Sequence, residues 1–175
     1  MKLKAIFILL IAFFIFGFNQ SEIAKIDQVN WLSINEVQQK LKSNPKPVLI
    51  DLYTDWCYWC KVMDKRTYQN EKVIAYINEH FYAIKLNAET KDTLRWNNQD
   101  YTYNPLYKVN QFSMFATGGN LRFPSTIIIT TGDDPVSIPG YLRTGDIEPI
   151  LKYFGEGIYH RMSFPDYSRT FKNMW

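Results

Sequence analysis

Two cysteines and two histidines are all the thiolate and imidazole ligands in 175 residues. A structural zinc site wants four ligands, so it would need every one of them, and His80 and His160 lack paired spacing. Glycine and proline number eight each, which excludes collagen-like and low-complexity chains. The strings G-x-x-x-x-G-K-[ST] and G-x-G-x-x-G do not occur, so the glycine loops that cradle phosphates are missing. Charge of one sign is also scarce. The formal net charge is +3, and Lys2 and Lys4 lie in the first twenty residues, where there is no acid. Beyond them, 18 basic residues face 17 acidic ones. No concentrated basic run exists, so nucleic acid is not an expected partner. There is no internal repeat, which excludes solenoids and propellers.

Aromatics are plentiful: 12 Tyr, 12 Phe and 5 Trp, in a chain that is 46% apolar. That composition excludes disorder. It suffices for one core, and the chain is too short for two ordinary domains of roughly 100–150 residues each. The N-terminus reads separately. Met1 to Lys4 is basic, and Ala5 to Phe16 (AIFILLIAFFIF) is an unbroken apolar run. It matches a secretory signal in length and flanks, whereas a membrane span wants about 20 apolar residues. The expectation is an export signal over residues 1–20, cleaved between Gly17 and Ser21, followed by a single domain over 21–175. An uncleaved anchor and a buried core helix are the other readings. In an exported, oxidising compartment a cysteine pair can persist as a disulfide.

Along the rest of the chain, Ser33 and Glu36 form a capping-box pattern, which predicts a helix to about residue 43, stopped by Asn44-Pro45-Lys46-Pro47. VLIDLYT (Val48 to Thr54) predicts a buried strand, with Asp51 at an expensive place for a carboxylate. A helical stretch should run from Asp55-Trp56-Cys57 to about Gln69. Asn70 should cap a helix over 71–79, and FYAIKLN (Phe81 to Asn87) is a second strand. Residues 88–122 read as an irregular insert, with a hairpin within Trp96 to Tyr103 and a helix from Pro105 to Thr117 that ends at Gly118. Ser125 to Thr130 and Val136 to Tyr141 predict a strand hairpin about the turn 131–134. Asp146 should cap a helix over 147–154, and an aromatic-rich tail occupies 155–175. The order implies an α/β fold: a central mixed sheet with helices on both faces.

Both cysteines belong to Trp56-Cys57-Tyr58-Trp59-Cys60, a C-x-x-C at a strand-to-helix junction. The first cysteine lies where free N–H groups and the helix dipole stabilise a thiolate. The second lies one turn on, placed to resolve a mixed disulfide. A structural disulfide, a zinc site with the histidines and a pair of inert buried thiols are the competing readings.

VLIDLYTDWCYWCK (Val48 to Lys61) resembles the strand-and-active-site segment of thioredoxins. AIKLN (Ala83 to Asn87) is similar to that family's next strand, and Phe123-Pro124-Ser125-Thr126 to its cis-proline loop. Pro139-Gly140-Tyr141 and Thr144-Gly145-Asp146 are similar to its last strand and final helix start. TDWCYWCKVMDKRTYQNEKVIAYINEHF is most similar to exported thiol:disulfide interchange domains, including the C-terminal domain of DsbD. The resemblance covers 48–87 and 123–154. It implies a thioredoxin fold with an insert before the cis-proline strand and a C-terminal extension. It also implies a thiol–disulfide oxidoreductase in which Cys57 attacks, Cys60 resolves, and Asp51 with Lys85 manages the proton. Trp56, Tyr58, Trp59, Phe123 and Pro124 would meet the substrate. Tyr58-Trp59 replaces the family's Gly-Pro, so redox poise does not carry over.

The sequence-based expectation is therefore an exported, periplasmic, monomeric enzyme, acting as a reductase on cysteine-containing exported proteins and recharged by an upstream redox partner. No metal or bound cofactor is expected, and membrane contact arises only through an unremoved signal. The alternative is a binding or chaperone module on the same fold, holding cysteine-containing proteins without turnover.

Overall fold

In the computed structural model the described residues are 28–130 and 134–175. The signal reading of 1–20 and most of the 131–134 turn lie outside them. The helices are α1 (Ile34–Ser43), α2 (Tyr58–Arg66), α3 (Glu71–His80), α4 (Gln111–Thr117), α5 (Thr144–Gly155) and α6 (Phe164–Thr170). The strands are β1 (Val48–Tyr53), β2 (Tyr82–Asn87), β3 (Leu94–Trp96), β4 (Gln99–Tyr101), β5 (Tyr103–Asn104), β6 (Val109–Asn110), β7 (Ser125–Ile129) and β8 (Val136–Pro139).

The four long strands form one mixed sheet in the order β2-β1-β7-β8. β2 runs parallel to β1, while β7 and β8 are antiparallel to their neighbours. Alternation along β1 explains why its sequence, Asp51 apart, reads as apolar on both faces. Leu49 packs on one face with Ala83, Ile128, Met63 of α2, Ile74 and Ile77 of α3, and Ile147 and Leu151 of α5. Val48, Ile50 and Leu52 pack on the other face with Ile84, Ile127, Val37 of α1 and Phe112 of α4. Both faces are covered, so no polar alternation is left to read.

α1 starts as its capping box requires. Glu36 N–H donates to Ser33 Oγ at 3.2 Å, and Ser33 N–H donates to Glu36 Oε2 at 2.8 Å. Ser33→Ala is expected to cost about 1 kcal/mol, read as a lower denaturation midpoint with an unchanged slope.

The insert folds onto the sheet. Trp96, Tyr101, Val109, Phe112 and Ala116 are buried against the second face. Two expected elements differ here. The hairpin of β3 and β4 spans Leu94 to Tyr101, two residues earlier than expected, because Asn97 (φ 48°) and Asn98 (φ 65°) make a two-residue turn with both residues left-handed. The helix expected from Pro105 begins only at Gln111. Asn104 Oδ1 instead accepts the N–H groups of Leu106 and Tyr107, and Lys108 at φ 55° turns the chain so that β5 pairs with β6. Asn110 Oδ1 then caps α4 through Phe112 N–H.

α5 starts at Thr144, earlier than expected, with Arg143 rather than Asp146 at the cap. Asp146 sits in the first turn and accepts Arg143 N–H at 3.1 Å. Pro149 lies inside this helix and cannot donate to the carbonyl four residues back. That carbonyl, Gly145 O, accepts Asn173 Nδ2 at 2.9 Å instead. The tail is therefore part of the helix's hydrogen-bond completion. Buried Glu148 fixes it further, accepting the N–H groups of Met174 and Trp175 and pairing with Lys152 at 2.8 Å.

Candidate functional site

β1 ends at Tyr53, and four residues carry the chain into α2. Cys57 N–H donates to Thr54 O at 3.1 Å, which places Cys57 at the N-cap of α2. Cys60 N–H points back to Cys57 Sγ at 3.1 Å. Sulfur thus occupies the place where a serine or aspartate oxygen usually caps a helix, facing free N–H groups and the positive end of the dipole. Cys57 and Cys60 are joined in a disulfide, their Cα atoms 5.4 Å apart. Both residues are only 4% exposed.

Beneath α2, on the face that carries Leu49, lies the charged part of the site. Asp51 stands in register with Lys85 on β2 and Thr126 on β7. Lys85 Nζ donates to Asp51 Oδ2 at 2.9 Å and also to Asp64 on α2. The rings of Trp31 and Tyr53 lie 5.4 and 5.2 Å from the same ammonium. Burial pushes the Asp51 carboxyl up to about 6, against the pull of Lys85. Burial also works against the Lys85 ammonium, but the two carboxylates outweigh it and hold its pKa above the ordinary lysine value. Tyr68 closes the buried side, its hydroxyl 3.5 Å from Thr126 Oγ1, and burial raises its phenol well above the usual range.

Around the disulfide the surface is aromatic. Trp56, Tyr58 and Trp59 are 67%, 69% and 54% exposed. Trp56 donates its indole N–H to Glu89 at 3.0 Å and meets Phe123 edge-on at 6.0 Å. Trp59 stacks on Tyr141 at 5.6 Å. The Phe123–Pro124 peptide is cis, and Pro124 O accepts Gly140 N–H at 2.8 Å. Trp59, Phe123, Pro124, Gly140 and Tyr141 line a shallow, open cleft of about 220 Å³.

The structure thus brings Cys57, Cys60, Trp56, Tyr58, Trp59, Phe123 and Pro124 to one end of the sheet, with Asp51 and Lys85 paired beneath. Asp64, Trp31, Glu89 and Tyr141 also belong to this site and were not foreseen. Asp64 had a local signal: it lies four residues after Cys60 and so shares its helix face. The other three come from distant segments with no signal in their own surroundings. Both histidines stand against aromatic neighbours instead, His80 on Tyr76 and His160 on Tyr159. Among the described residues no group of His, Cys, Asp and Glu could hold a metal ion.

A mixed sheet in this order, with a C-x-x-C disulfide at a helix N-terminus and a cis-proline at the same end of the sheet, defines a thioredoxin-fold protein. The chain belongs to the Thioredox_DsbH family, described as "Protein of unknown function, DUF255", whose model matches residues 20–148. It is 25% identical over 118 residues to an uncharacterized protein of Caenorhabditis elegans, covering 67% of this chain and 14% of that protein. It is 23% identical over 121 residues to the thiol:disulfide interchange protein DsbD of Campylobacter jejuni, covering 69% of this chain and 18% of the relative. The chain therefore spans under a fifth of the length of these relatives. Among solved structures, the DsbH oxidoreductase superposes with a TM-score of 0.55 at 15% identity, covering 80% of this chain and 93% of that one.

Proposed function

We propose that this chain is a thiol–disulfide oxidoreductase of exported proteins, working through Cys57 and Cys60 in the reducing direction. The observation that carries the reading is the Cys57–Cys60 disulfide at the start of α2, above buried Asp51 and its half-buried partner Lys85. In the reduced protein the Cys57 thiolate attacks a sulfur of the substrate disulfide. That bond breaks, and the departing thiolate takes a proton from solvent. Cys57 is then joined to the substrate. Asp51, ionised above about pH 6, accepts the Cys60 proton. The Cys60 thiolate attacks Cys57 Sγ, the second substrate sulfur leaves, and the disulfide of this structure forms. Two electrons pass from the dithiol to the substrate.

An upstream thiol partner then restores the dithiol, and no bound cofactor takes part. Trp56, Tyr58, Trp59, Phe123 and Pro124 receive the substrate. The Phe123 peptide precedes the point where β7 pairing begins, which leaves it available to an extended substrate chain. Export to the periplasm fits the apolar N-terminal run and an oxidisable cysteine pair. Among the described residues no helix is long and apolar enough to cross a membrane.

Reduction of insulin disulfides by dithiothreitol tests the activity. The protein is expected to accelerate it, with the acceleration lost in Cys57→Ser. A rate equal to that of dithiothreitol alone would overturn the reading in favour of a binding module without turnover.

A further inference from the structure

The disulfide is one of two states of the site, and a buried group beside it is suited to the other. Thr54 lies between the end of β1 and Cys57 and is only 1% exposed. Among the described residues, its Oγ1 is the buried side-chain oxygen that has no hydrogen-bond partner. An unpaired hydroxyl in such a place is costly, and its retention next to a reactive pair points to a partner that appears in the other state.

The local backbone says which partner. Cys57 N–H donates to Thr54 O at 3.1 Å, closing a four-residue turn whose end Cα atoms lie within about 7 Å. The middle residues of the turn, Asp55 and Trp56, are exposed. The end residues, Thr54 and Cys57, are buried. Both ends of the turn therefore direct their side chains to the same protected side, where Cys60 also lies. In the disulfide, Cys57 Sγ is uncharged and already receives Cys60 N–H at 3.1 Å. An uncharged sulfur is a weak acceptor.

Reduction by two glutathione thiols opens the S–S bond. It delivers two electrons and two protons to the cysteines and leaves one glutathione disulfide. Cys57, at the start of α2, then releases its proton to solvent. The resulting thiolate is charged and accepts hydrogen bonds strongly. A threonine hydroxyl hydrogen turns about its C–O bond, so it can meet a new acceptor without movement of the backbone.

We propose that the Thr54 hydroxyl donates to the Cys57 thiolate of the reduced protein and thereby sets the redox poise of the pair toward the dithiol. The same hydroxyl is unpaired in the disulfide, which penalises the oxidised form. Both effects act in one direction. Thr54 tempers the reducing power of the pair and eases its recharging by an upstream thiol. This rests on the oxidoreductase reading above.

The test equilibrates the full chain with mixtures of reduced and oxidised glutathione at pH 8 and counts its thiols after an acid quench. Thr54→Val keeps the branched shape and removes the hydroxyl. Its equilibrium constant for disulfide formation is expected to rise about tenfold, and the Cys57 pKa, read from thiolate absorbance, should rise in step. The charged groups around the cysteines are Asp55, Glu89 on Trp56, and Asp51, Lys85 and Asp64 beneath. They are the same in both proteins and drop out of the comparison. Thr54→Ser, which retains a hydroxyl, should stay within about twofold of the unaltered protein. Urea denaturation of the oxidised forms separates a purely structural role. The valine variant should unfold at an equal or higher midpoint, because it loses only an unpaired group. An unchanged equilibrium constant in Thr54→Val, or a lower urea midpoint of its oxidised form, would overturn the inference while leaving the activity standing. If the unaltered disulfide opens neither in glutathione nor in dithiothreitol, the inference and the activity fall together.

Discussion

Cys60→Ser is expected to cut turnover on a disulfide-bonded protein by at least about a thousandfold, with substrate accumulating covalently on Cys57. The reason is proximity. Cys60 lies one helical turn from Cys57, with Cα atoms 5.4 Å apart, so its thiol meets the mixed disulfide as an intramolecular reagent. Without it, release waits for an external thiol at far lower effective concentration. Exposure does not distinguish the two cysteines, since both are 4% exposed. Position does: Cys57 Sγ faces the N–H of Cys60 at the helix N-cap, while Cys60 lies already inside the helix. Attack should therefore come from Cys57, and Cys57→Ser should accumulate little or no adduct. Non-reducing electrophoresis and intact-mass measurement after mixing with a disulfide-bonded substrate read both variants. Adducts in Cys57→Ser but not in Cys60→Ser would invert the assignment of attacking and resolving sulfur.

The parts of the fold legible from sequence are those in which each residue's environment is set by near neighbours. Ser33 and Glu36 mark α1 because both halves of the capping box lie within one turn. β1 reads as a buried strand because both of its faces are covered, and Asp51 stands out for the same reason. The errors fall where a remote group decides. Pro105 suits a helix start, but Asn104 and Lys108 bend the chain so that β5 can pair with β6. α5 tolerates Pro149 because Asn173, far along the chain, takes up the carbonyl the proline leaves free. The site divides in the same way. The C-x-x-C and its junction are local. The pairing of Asp51 with Lys85 depends on strand register, which only the family resemblance indicated. Trp31 over Lys85, Glu89 on Trp56 and Tyr141 on Trp59 are contacts between segments that share no pattern.

Asp51→Asn is expected to stabilise the oxidised protein by about 3 kcal/mol at pH 8 while slowing resolution of the mixed disulfide by about a hundredfold. Both effects follow from one carboxylate held in an apolar place. Burial raises Asp51 from an ordinary 3.8 to about 6, against the pull of Lys85. The folded state therefore retains this proton where the unfolded chain has released it. Stability is greatest below about pH 4 and declines as pH rises through about 6, above which the full cost of the buried charge is present. An asparagine of the same shape removes that cost, so its advantage should be near zero at pH 4 and reach its plateau above pH 7. Urea denaturation at both pH values measures it. The same charge is what Cys60 needs. In the unaltered protein, resolution should quicken as pH rises through about 6, and this inflection should vanish in Asp51→Asn. Lys85 remains held by Asp64 in the variant, so the ammonium does not become an isolated charge. An advantage of equal size at pH 4 and pH 8 would show that the charge is not its source. Equal slowing of mixed-disulfide formation and resolution would show that Asp51 shapes the site rather than moves the proton.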